Sequence, residues 1–96
     1  MNEIKVMVKD PGQPARFLTI RNSLETLQEI VGGYIEIVNL DDKVCIVCDE
    51  EGRLKGKQHN IAFSRVSFVG TIIFAGYKGD ELTDFPYGNL GEMVVS

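Results

Sequence analysis

Leu24-Glu-Thr-Leu-Gln-Glu-Ile-Val-Gly-Gly-Tyr-Ile-Glu36 changes period in the middle. Leu24, Leu27, Ile30 and Val31 recur at helical spacing on one face, while Glu25, Gln28 and Glu29 fall on the other. Asn22, with Glu25 three residues on, has the form of a variant capping box. Gly32 or Gly33 supplies the left-handed residue that ends such a helix, and Tyr34-Ile-Glu-Ile then alternates as a strand does. The stretch predicts a short amphipathic helix over about 22–32 that runs straight into a strand. So short a helix draws most of its stability from packing against something else.

The flanking sequence supplies a sheet. Ile4, Val6 and Val8 alternate with Lys5, Met7 and Lys9, and Asp10-Pro11-Gly12 is turn chemistry before a second extended run, Ala15–Ile20. Tyr34–Leu40 and Lys43–Cys48 form a further hairpin around Asp41-Asp42. Arg53–Lys57 is polar and read as extended, an edge segment or loop, and Ile61–Phe68 stays ambiguous. Val69–Ala75 is a continuous β-branched and aromatic run, expected as a buried central strand. From residue 77 onward Gly79, Pro86, Gly88 and Gly91 predict an irregular tail, with Met93-Val94-Val95 as a closing edge strand. The expectation is one α+β domain over 1–96: a core over 1–76, mainly antiparallel with a strand-strand-helix-strand-strand start and the helix on one face, and a loop-rich tail over 77–96.

Composition narrows the function classes. The 96 residues are 44% hydrophobic and 25% charged, as in ordinary folded domains. Ten Lys and Arg against fourteen Asp and Glu give a net charge of −4, which argues against a generic duplex-DNA binder. No apolar segment approaches the length of a membrane span, and no signal-peptide pattern follows Glu3. Two cysteines make no secreted disulfide framework. A cytoplasmic protein is expected.

Motifs that carry chemistry are few. Cys45 and Cys48 have a C-x-x-C spacing, but in a strand residues three apart point to opposite faces, and His59 is the only other soft ligand; no metal and no cofactor are expected. Gly52-Arg-Leu-Lys-Gly-Lys57 is one residue short of a phosphate loop and has Gln58 in place of the magnesium-binding hydroxyl. As an extended segment it places Arg53, Lys55, Lys57 and His59 on one side, a local basic stripe in an acidic chain. Its two readings are an anion or nucleotide site and the protection of an exposed strand edge. Tyr77, Phe85 and Tyr87 offer stacking surfaces or core. Asp41-Asp42 and Asp49-Glu50-Glu51 read as solvated turn tips. Glu36, beside Tyr34, is either surface or a polar anchor in a concave site. His59 with Ser64, Ser67 or a cysteine lacks the local signature of an acyl-transfer enzyme.

Val31-Gly32-Gly33-Tyr34-Ile35-Glu36, Glu50-Glu51-Gly52, Leu54, Asn60 and Val69-Gly70 together resemble a family of small proteins from bacteriophages, plasmids and mobile elements, the domain of unknown function 3846. The resemblance spans Ile4 to about Gly76. It implies an accessory protein acting on host components by stoichiometric binding, and it points to Tyr34, Glu36, Glu50 and Asn60. Two mechanisms follow. One is sequestration of a small anionic or nucleotide-like ligand, an anti-defence sponge built across a homo-oligomer, with Tyr34, Glu36, Arg53, Lys55, Lys57, His59 and Asn60 as its site. The alternative is a protein–protein interaction module that inhibits a host enzyme through its surface or a strand edge. A small hydrolase ranks third.

Overall fold

The computed structural model describes residues 3–63 and 65–93. In chain order the elements are β1 (Glu3–Lys9), β2 (Arg16–Arg21), α1 (Leu24–Val31), β3 (Ile35–Asn39), β4 (Val44–Asp49), β5 (His59–Phe63), β6 (Val66–Val69), β7 (Ile72–Lys78), β8 (Glu81–Thr83) and a 3-10 turn, Leu90–Glu92. The main sheet runs β2-β1-β7-β4-β3 with β8 also on β7, and β5-β6 is a separate hairpin. Every strand pairing is antiparallel. The chain is α+β, with its helix on one face of the sheet.

Three layers result. Val6, Val8, Cys45, Val47, Ile73 and Ala75 face the helix and meet Leu27 and Val31, both buried. Burying each of these two side chains is worth roughly 1.5–3 kcal/mol, enough to hold a helix that would not survive alone. On the opposite face Met7, Val44, Ile46, Cys48, Ile72 and Phe74 pack under the β5-β6 hairpin and the C-terminal segment. The central strands β4 and β7 are therefore buried on both sides, which is why their sequences are apolar without alternation.

The tail is loop-rich but anchored. β8 pairs with β7, Phe85 and Met93 are buried, and Tyr87 packs beside Phe85. Tyr77 lies on β7 and donates its hydroxyl to the Asp41 carbonyl, so these aromatics serve the core rather than a stacking surface. The closing strand expected at 93–95 lies outside the described residues, apart from Met93, which is not in a strand.

Several local expectations are corrected. Ser23, not Asn22, caps the helix and accepts from the Thr26 amide, while Asn22 donates to the Leu82 carbonyl. Leu24, expected on the buried face of the helix, is 58% exposed. The apolar run Val69–Ala75 is split between β6 and β7 by a turn in which Gly70 takes φ 72°. Arg53–Lys57 is not extended: its amides bond to carbonyls three to five residues back, coiling residues 50–56 into successive turns.

Candidate functional site

The coiled loop brings the lysines inward. Asp49 closes β4 on the helix face, opposite Ile35 in the register, and its side chain has no exposed surface. Its Oδ2 accepts from Lys55 Nζ and Lys57 Nζ, both at 2.8 Å, and its Oδ1 accepts from the Glu51 amide at 2.8 Å. The same ammonium groups donate to the end of α1: Lys57 Nζ to the Val31 carbonyl at 2.7 Å, Lys55 Nζ to the Gly32 carbonyl at 3.1 Å. The last turn of α1 contains no basic residue of its own. Two lysines from a distant loop thus satisfy carbonyls the helix leaves open and set positive charge at its negative end.

Burial on its own would raise the Asp49 carboxyl, but the hydrogen bonds from Lys55 and Lys57, helped by the Glu51 amide, outweigh it and hold it at about 2. The hydrogen bond to Asp49 in turn raises Lys55. Gly33 is required by this arrangement. A Cβ there would lie 2.5 Å from Lys55 Nζ and 2.8 Å from each Asp49 oxygen.

Asn60 makes a second knot. Its Oδ1 accepts from Lys9 Nζ at 2.8 Å, and its Nδ2 donates to the Lys9 carbonyl at 2.9 Å and the Gly70 carbonyl at 2.7 Å. One amide therefore fastens the β5-β6 hairpin to β1 and to the turn ahead of β7. Lys57 passes directly beside Gly70 on its way to Asp49, so the two knots touch.

The seven residues expected as one site are dispersed. Lys55, Lys57 and Asn60 are engaged in these internal contacts. Arg53 donates to the Ser67 carbonyl and, with Glu36, lines a narrow cleft of about 150 Å³ between β3 and the β5-β6 hairpin. His59 is exposed on β5. Tyr34, 68% exposed, lines a separate open groove of about 560 Å³ with Gly33, between α1 and the loop after β4. Lys55 also borders this groove, along with Glu25, Glu29 and Glu51. The expected solvated tip at 49–51 divides: Glu50 and Glu51 are exposed, Asp49 is not.

Five of the residues on which the family resemblance rests, Val31, Gly32, Gly33, Asn60 and Gly70, lie at these knots, while Tyr34, Glu36 and Leu54 line the groove and the cleft. Val31 and Gly32 offer the carbonyls, Gly33 makes the room, Gly52 leads into the coiled loop, and Asn60 binds at Gly70. Residues 4–92 match the family model described as Domain of unknown function (DUF3846). The chain belongs to the DUF3846 family. No match was found among curated proteins or among solved structures.

Both thiols of this DUF3846 chain are buried and free. Cys45 faces the helix layer and Cys48 the hairpin layer, as strand geometry requires. Burial pushes both thiols up to about 11, with Glu36 and Asp49 adding to the effect at Cys48, so both stay protonated near neutrality. Ser64, one of the serines considered beside His59, lies outside the described residues. Among the described residues no helix is long and apolar enough to cross a membrane.

One further surface was named in the sequence only as a general possibility. β3 is an edge strand, and the Glu50 amide donates to the Tyr34 carbonyl. With Tyr34, Glu36 and Val38 turned toward β4, alternation directs the amides and carbonyls of Ile35, Ile37 and Asn39 outward. The strand carries no Lys, Pro or bulge to blunt that edge. Ile37 (48% exposed) lies on it, and Leu54 (88% exposed) borders the cleft beside it.

Proposed function

We propose that this DUF3846 protein is a non-catalytic accessory module that acts by stoichiometric binding to a protein, and that the open edge of β3 is its binding element. The observation that carries this reading is the internal use of Lys55 and Lys57 on Asp49 and the end of α1. An anion site on those lysines would have to displace a counter-ion already in place. The β3 edge has no such competitor among the described residues. Strand addition to an open edge is a recurring recognition mode: main-chain hydrogen bonds give affinity and flanking side chains give selectivity. In a phage or mobile-element setting, the partner is a host protein whose activity the added module blocks.

Ile37→Pro tests this directly. It removes one outward N–H while sparing the hydrogen bonds to β4, a placement that edge strands tolerate. The wild type, purified gently from its host, should retain a protein in fixed ratio that Ile37→Pro loses at unchanged thermal midpoint. Native mass spectra that instead show a bound nucleotide-sized compound would overturn the reading and restore sequestration.

A further inference from the structure

The groove at the head of β3 identifies the chemistry of the partner. Gly33 and Tyr34 line it and lead directly into the strand, so a segment paired with β3 that continues past Ile35 comes up to this groove. Glu25 and Glu29 stand one helical turn apart on the exposed side of α1, and Glu51 approaches from the loop after β4. None of the three has an ion-pair partner among the described residues. Among the described residues the only cation on the groove wall, Lys55, is already bound to Asp49 and to the Gly32 carbonyl. A groove with an exposed aromatic ring and three free carboxylates has the electrostatic shape of a receptor for an ammonium or guanidinium group: the ring face attracts the cation and the acids neutralise it.

We infer that the segment added to β3 is a basic one, an extended stretch of a partner protein that places a Lys or Arg side chain over Tyr34 between Glu25, Glu29 and Glu51. This rests on strand addition at β3 as the binding mode. A second copy of this chain is the poorer occupant. Pairing two β3 edges would bring two acidic surfaces together in a protein of net charge −4, where like charges oppose association.

The test is a display library of random seven-residue segments, selected in parallel on the wild type, on Ile37→Pro and on the triple variant Glu25→Gln, Glu29→Gln, Glu51→Gln. All three acids are exposed, so the triple variant should keep its fold, which a thermal melt verifies. Segments enriched on the wild type should carry Lys or Arg, shift the Ile35, Ile37 and Asn39 amide resonances, and bind the triple variant roughly tenfold or more weakly. Segments that shift those amides but are neutral or acidic, or that bind the triple variant equally, overturn the basic-partner inference while leaving β3 as the binding edge. Enrichment that never perturbs those amides overturns both, and the amide shifts decide this even if Ile37→Pro fails to fold. Concentration-dependent dimerisation that shifts the same amides without any segment would assign the edge to a second copy and equally overturn the inference.

Discussion

Asp49→Asn exchanges the carboxylate beneath α1 for a neutral group of the same shape. The amide oxygen can still accept from the Glu51 amide, so what is lost is chiefly the charge facing Lys55 and Lys57. A folded-state value of about 2 against 3.8 for an unperturbed Asp corresponds to about 2.4 kcal/mol before screening. The lysine side chains are 39% and 24% exposed, so solvent weakens the attraction and lets them relax once the charge is gone. The expected loss at pH 7 is therefore about 1–2 kcal/mol, below that for breaking a fully buried pair. For a domain of this size that lowers the thermal midpoint by roughly 5–15 °C. The pH dependence supplies the sharper check. A carboxyl depressed by folding contributes its full stabilisation above its unfolded value, and that contribution fades as pH falls from about 4 toward 2. Urea unfolding of both proteins across this range should show their difference narrowing, with effects of all other carboxyls cancelling. Equal stability at pH 7, or a gap that stays constant down to pH 2, would refute the account of Asp49 as the charged pole of the clamp.

Gly33→Ala should destabilise the fold by driving a Cβ against Lys55 and Asp49; combined with Asp49→Asn, the losses should fall short of additive in denaturant titrations, since both act on one contact. Asn60→Ala removes three hydrogen bonds and should cost about 1–3 kcal/mol. Native-state hydrogen exchange should rise first in the β5-β6 hairpin, and exchange rising uniformly instead would argue against a local fastening. The buried thiols at about 11 should resist iodoacetamide at pH 8 until the protein unfolds; rapid labelling of either in the native state, read by mass spectrometry, would contradict their placement.

The layers were legible because burial writes them into the sequence. The helix from its 3.6 period, the turn at Gly12 and the hairpin at Asp41-Asp42 are local signals, and each lies where its residues indicate. The opposed cysteines followed from strand alternation alone. The helix start slipped from Asn22 to Ser23 because both residue types cap, and tertiary contact decides between them: Asn22 is engaged by Leu82 from across the chain. Val69–Ala75 looked continuous because one glycine in an apolar run does not reveal that the backbone there is left-handed.

The extended reading of Arg53–Lys57 fails for a different physical reason. A basic stripe in an acidic chain looks like surplus charge as long as its partner is assumed to be solvent. Its neighbours Glu50 and Glu51 make Asp49 read as part of a solvated tip, although it directly extends the apolar run Val44–Cys48 and is the sole buried charged residue among those described. A carboxylate that continues a buried strand must find cations or pay heavily in desolvation, and Lys55 and Lys57 from the following loop answer that need. The missed signal was thus present in the order of residues. Once Asp49 is placed in the core, Lys55 and Lys57 cease to be free charges. Tyr34 then shares its groove with Glu25, Glu29 and Glu51 and with a Lys55 already engaged by Asp49, which is why the occupant proposed for it is a cation rather than an anion.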